Sequence, residues 1–98
     1  MKDRREYEKA IEIVGGVIRA WDPYCLIAEG APIDEFDGQI ARITARVPGV
    51  HSPADAALAI SDVFSRSFGP DTFSAADCSG PAQQIFTGLS RAKLLPAA

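Results

Sequence analysis

Histidine and cysteine are scarce in this chain: one histidine, His51, and two cysteines, Cys25 and Cys78, in 98 residues. Structural zinc sites need four ligands in closely spaced pairs, so three such residues, with the cysteines 53 positions apart, do not describe one. The same scarcity leaves little for nucleophilic catalysis, which needs a Ser, Cys or Lys beside a base and a group orienting that base. Basic clusters are also missing. The net charge is −3, and no basic run is longer than Arg4-Arg5, against the concentrated Lys/Arg face expected of a nucleic-acid binder. The longest apolar run falls far short of the ~20 residues of a membrane span. The charged N-terminal stretch MKDRREYEKA is followed by glycines, not by the apolar core of a signal peptide. The expected compartment is therefore the cytoplasm, with both cysteines reduced. Gly15-Gly16 lacks the spacing and the preceding strand of a dinucleotide- or phosphate-binding loop. No internal repeat, low-complexity segment or long period-2 alternation marks a strand.

What is present is helix. Hydrophobic residues make up 47% and charged residues 23%, the balance of one ordinary globular domain, and sixteen alanines favour the helical backbone. The spacing predicts four helices in an all-α bundle spanning residues 1–98, with the last three residues frayed. Helix one is expected from Asp3 to Ala20 or Trp21, with Tyr7, Ile11, Val14, Ile18 and Trp21 on one face. Gly15-Gly16 in its middle implies either a close helix crossing or a bend. Asp22-Pro23 ends it, because the residue before proline is driven out of the helical region.

Helix two is expected near Asp34, with Asp34 as cap, Asp37 at the third helical position and Phe36, Ile40, Ile43 and Val47 inward, stopping at Pro48-Gly49. Helix three has the clearest start: Ser52 as cap, Pro53 at the first position and Asp55 three residues after the cap. Its inward face reads Ala57, Ile60, Phe64 and Phe68, with Val63 beside it and Gly69-Pro70 as the exit. Helix four is expected from Ser74, with Asp77 three residues on, Phe73 packed on Cys78, and Cys78, Ala82, Ile85, Leu89 and Ala92 inward. Gly80-Pro81 contradicts a straight helix from Ser74, since interior proline costs about 3 kcal/mol. Either the helix kinks there or a short turn over 74–79 precedes it.

The stretch Trp21 to Asp37, WDPYCLIAEGAPIDEFD, joins helices one and two through an apolar connection that also carries the densest run of carboxylates. A connection of that length in a small domain is either packed into the fold or used as a site. Its candidate protein-contact residues are Tyr24, Glu29, Asp34, Glu35 and Asp37, with Trp21 and Phe36 expected to fill the core beneath. Asp22, Asp34, Glu35 and Asp37 could instead converge on a hard metal ion, although the stretch lacks the alternation, central glycine and closing glutamate of a calcium loop.

The same stretch resembles the YugE-like family of small bacterial all-helical domains, for which no reaction is established. The resemblance rests on Trp21-Asp22-Pro23, Leu26, and Gly30-Ala31-Pro32 ahead of Asp34-Glu35-Phe36-Asp37. It continues through Ile40 and Ile43, then Val63-Phe64, Ser67-Phe68-Gly69 and Asp77-Cys78. It implies a compact helical fold and no chemistry. The chain departs from the implied pattern at Phe36, where a tyrosine is expected, at Cys25, where a glycine is expected, and at Gly80-Pro81 in a region expected to be helical.

These residues lead to an expected function as a non-catalytic protein-interaction domain whose acidic connection meets a basic partner, as small acidic immunity and antitoxin proteins do. No nucleic acid, membrane, cofactor or resident metal is expected. The alternatives are a metal-dependent module or enzyme built on Asp22, Asp34, Glu35 and Asp37, and a homo-oligomeric structural protein.

Overall fold

The computed structural model describes residues 4–23, 28–30, 35–69 and 73–95. It contains four α-helices: α1 (Arg4–Trp21), α2 (Asp37–Ala45), α3 (Pro53–Phe68) and α4 (Ser79–Arg91), with one 3₁₀ turn at Val47–Gly49 between α2 and α3. No strand occurs among the described residues. The bundle measures 37 × 25 × 19 Å. Each of α1 and α3 packs against both α2 and α4, which places α1 and α3 on opposite corners.

The buried surface follows the helical spacing. Val14 and Ile18 of α1, Ile40 and Ile43 of α2, Ile60 and Phe64 of α3, and Ala82, Ile85 and Leu89 of α4 are all buried together with Val47 and Cys78. Thr44 is fully buried, and its hydroxyl donates to the Ile40 carbonyl at 2.7 Å, which removes the penalty of an unpaired polar group. Of the expected inward positions, Ile11, Trp21 and Ala92 are half-buried and two are exposed. Tyr7 and Phe68 are each 37% exposed. Tyr7 lies one turn before Ala10, the first fully buried position of α1, and Phe68 reaches the core by stacking on Phe64 at 5.7 Å and by a tilted contact with Phe73 at 6.1 Å.

Local chemistry sets the helix ends. Ser52 caps α3 by accepting from the Asp55 N–H at 3.2 Å, and the Asp55 carboxylate accepts in return from the His51 N–H at 2.9 Å. The expected start of α2 needs correction. The helix begins at Asp37, not at Asp34; Phe36 occupies the cap position, and no side chain caps the end. Burial of Phe36 against Phe64, with ring centres 5.9 Å apart, fixes the entry where a polar cap was expected. Asp37 is accordingly the first helical residue, and Asp34 lies outside the described residues.

At α4 the proline conflict resolves as a separate turn. Ser74 and Asp77 bond each other reciprocally, Asp77 N–H to Ser74 Oγ at 3.1 Å and Ser74 N–H to Asp77 Oδ2 at 3.3 Å, closing a turn that ends at Cys78. The helix then starts at Ser79, and its first bond runs from the Ala82 N–H to the Cys78 carbonyl at 2.9 Å. Pro81 thus falls among the first-turn positions whose N–H groups have no helical acceptor, so its missing donor costs nothing.

α1 runs unbroken from Arg4 to Trp21 through Gly15-Gly16, and no described neighbour stands within 4 Å of a Cβ placed at Gly16. A Cβ at Gly15 would stand 2.8 Å from Nη1 of Arg19, so the glycine leaves room for that guanidinium to lie back along its own helix. Nothing in the structure explains Gly16. The close crossing is at Gly88 of α4, where a Cβ would meet Ile13 Cγ2 of α1 at 2.9 Å.

Candidate functional site

The site begins where α1 ends. The Asp22 N–H still donates to the Ile18 carbonyl at 2.9 Å, but Asp22 itself turns into the left-handed region, with φ of 43°. Aspartate tolerates that conformation better than most residues because its short side chain bonds locally. Here the Asp22 carboxylate accepts from the Ala28 N–H at 2.9 Å, which fastens the connection back onto the end of α1. Pro23 is buried beside it. The Asp22 carboxylate therefore shapes the connection.

Beyond that anchor the chain turns at residues 28–30, with Gly30 at φ 107°, a conformation that favours glycine. Glu29 sits in this turn and is exposed. Glu35 is exposed directly ahead of buried Phe36. Neither Glu29 nor Glu35 forms an ion pair with a described residue. Asp37 is exposed as well, but its Oδ1 receives Nη2 of Arg19 at 3.0 Å, an ion pair that ties α2 to α1. It also sits at the N-terminal end of α2, where negative charge is favoured.

Of the five candidate contact residues, the structure places Glu29, Glu35 and Asp37 on the surface, with Asp37 engaged by Arg19. Tyr24 and Asp34 lie outside the described residues. Among the described residues no three carboxylate, histidine or cysteine side chains come together as a metal site, so Asp22, Glu35 and Asp37 form none by themselves. The expected core role of the aromatics is seen directly. Phe36 is fully buried, and Trp21 is half-buried, edge-on to Phe64 at 5.4 Å and to Phe73 at 5.7 Å.

Among the described residues, His51 and Cys78 are not brought together as nucleophilic chemistry would need. His51 is exposed in the turn before α3. Cys78 is a free thiol, fully buried, and burial with help from the negative charge of Asp77 pushes its pKa up to about 11, away from the thiolate that a nucleophile requires. Cys25 lies outside the described residues. A depression of about 410 Å³ beside α3 gathers the hydroxyls of Ser61, Ser65 and Ser74. Ser61 and Ser65 both donate to the Phe73 carbonyl, at 2.5 and 3.2 Å, holding the α3–α4 connection against α3. The carboxylate among the depression's described lining residues, Asp62, is held by Arg46 at 2.7 Å and Arg66 at 3.4 Å. Ser61 and Ser65 are thus structural donors, while Ser74 Oγ accepts from the Asp77 N–H at 3.1 Å as half of the turn ahead of α4.

Sequence reasoning passed over Arg19, whose pairing with Asp37 converts a candidate contact residue into a helix clamp. An arginine eighteen positions from its partner carries no local signal. It also passed over Leu58, which stands off the buried face of α3 and is 56% exposed. The signal was available, because Leu58 lies off the Ala57, Ile60, Phe64 and Phe68 stripe, about 100° round the helix from Ala57.

No helix among the described residues is long and apolar enough to cross a membrane. Comparison with protein-family models, with curated proteins and with solved structures gave no match for this chain.

Proposed function

We propose that this chain is a non-catalytic protein-interaction domain that meets a basic partner through the acidic connection between α1 and α2. The observation that carries the reading is the exposure of Glu29 and Glu35 on a segment whose backbone is anchored from within, by the Asp22–Ala28 bond on one side and by buried Phe36 on the other. Anchoring lowers the ordering cost of binding, and solvated carboxylates on a chain of net charge −3 speed and select the encounter with a cationic surface. Tyr24 and Asp34 belong to the same proposed surface, with Asp37 contributing through its exposed edge. The similarity to the YugE-like family is part of this reading and adds no reaction to it.

The test is capture of partners from a lysate of the source cells on the tagged chain and on a Glu29→Ala/Glu35→Ala variant, read by mass spectrometry. Loss of two surface charges, each contributing roughly 0.2–1 kcal/mol, is expected to deplete the partner while the helical circular dichroism and melting temperature stay unchanged. Equal recovery by both chains would refute the assignment.

A further inference from the structure

A surface pocket of about 360 Å³ lies between the end of α1 and the start of α4, at the lower end of the range that takes small ligands. Its walls differ in chemistry. Val17 and Ala20 of α1 and Pro81 of α4 are apolar, Trp21 adds an indole, and Asp77 and Gln84 add polar groups. Two of these groups are held in place from behind. Trp21 packs on Phe64 and Phe73 at 5.4 and 5.7 Å while staying half-exposed. Asp77 is fixed by the Ser74 N–H on Oδ2 at 3.3 Å, and its Oδ1 has no partner among the described residues.

The surroundings set the sign of the ligand. Asp77 is the one charged side chain that lines the pocket. The wall from α1 is the last turn of that helix, whose unpaired carbonyls favour positive charge. Arg19, the basic residue of that turn, reaches instead to Asp37 of α2. The opposite wall, the first turn of α4, offers little to an anion. Its Ser79 N–H donates to the Ala76 carbonyl, its Ala82 N–H donates to the Cys78 carbonyl, and Pro81 has no N–H. Only Gly80 in that turn keeps an N–H with no backbone acceptor among the described residues.

We propose that this pocket binds a guanidinium group on an apolar stem, carried either by an arginine side chain or by a free alkylguanidine. The planar cation stacks on Trp21 and donates to Asp77 Oδ1 and to the Gln84 amide oxygen, and its methylenes lie along Val17, Ala20 and Pro81. A guanidinium suits this set better than an ammonium, because its flat face stacks on an aromatic ring while its edge presents several donors in a fixed fork. The pocket shares no residue with the surface of Glu29 and Glu35, so it stands or falls independently of the acidic contact.

Trp21 is the single tryptophan of the chain, so indole fluorescence reads this pocket directly. The probes are Nα-acetyl-arginine methylamide and butylguanidine, titrated into the full chain at fixed ionic strength. Nα-acetyl-citrulline methylamide serves as the neutral isostere. The guanidinium probes should change the emission saturably and the citrulline probe should not; the tighter of the two identifies the carrier as peptide-borne or free. Asp77→Asn keeps an acceptor for the Ser74 N–H and should weaken binding about two- to fivefold. Gln84→Glu, exposed on α4 and outside the capping turn, should tighten it by a similar factor, and it decides the matter if Asp77→Asn does not fold. A native chain that saturates with neither guanidinium probe, or that responds as strongly to the citrulline probe, overturns the proposal. So does a folded Asp77→Asn or Gln84→Glu chain that binds as the native chain does.

Discussion

Phe64 touches four other aromatic rings: Trp21 at 5.4 Å, Phe73 at 5.4 Å, Phe68 at 5.7 Å and Phe36 at 5.9 Å. It thereby joins the end of α1, the entry to α2 and the approach to α4 to α3, and it is fully buried. Truncation there removes several ring contacts at once and leaves a cavity, so Phe64→Ala is expected to cost about 3–5 kcal/mol in denaturant unfolding. That is a large share of the roughly 5–15 kcal/mol a domain of this size possesses. A loss below about 1 kcal/mol would show that the cluster is not the keystone of the bundle. Cys78 makes a separate prediction. Burial raises its pKa from an ordinary 9.0 to about 11, which favours the neutral thiol in the fold. Between those values the unfolded chain binds fewer protons than the native one, so the contribution of Cys78 to stability is intact below pH 9.0 and is lost as pH climbs towards about 11. Site-resolved mass spectrometry after alkylation at pH 8 should find Cys78 protected in the native protein and modified in denaturant. Native modification as fast as in the unfolded chain would contradict its burial.

At the scale of the elements, the clearest sequence signals proved to be those written in adjacent residues. Ser52, Pro53 and Asp55 start α3 as their spacing indicates, and Ser52→Ala is expected to cost about 1 kcal/mol in thermal unfolding by removing the acceptor for the Asp55 N–H. No measurable change would mean that the cap is replaceable by water. Gly80-Pro81 was legible as a conflict, and the two resolutions open to it differ only in whether Ser74 and Asp77 close their own turn, which they do. The start of α2 was misread because a carboxylate cap is a local signal, whereas the actual start is set by Phe36 meeting Phe64, twenty-eight positions away. Distance in sequence likewise hid Arg19, which reaches Asp37 across the α1–α2 interface.

For the molecule as a whole, helical periodicity was enough to indicate an all-α bundle, because burial of one face per helix is what holds four short helices together. Surface use was less legible. The carboxylates could be counted along the chain, but their separation into Asp22, bonded to the backbone, Asp37, paired with Arg19, and Glu29 and Glu35, turned to solvent, depends on folded geometry. Two surfaces of opposite character result, an acidic one at the α1–α2 connection and an uncharged apolar one between α3 and α4. They can be separated in one measurement: capture from a source-cell lysate with three baits, the native chain, Glu29→Lys/Glu35→Lys and Leu58→Asp, each shown to be folded by circular dichroism. A heterologous partner held by the native chain and by Leu58→Asp but lost on charge reversal is the predicted result. A partner that survives charge reversal and disappears with Leu58→Asp would contradict the account and move the interaction to the α3–α4 face.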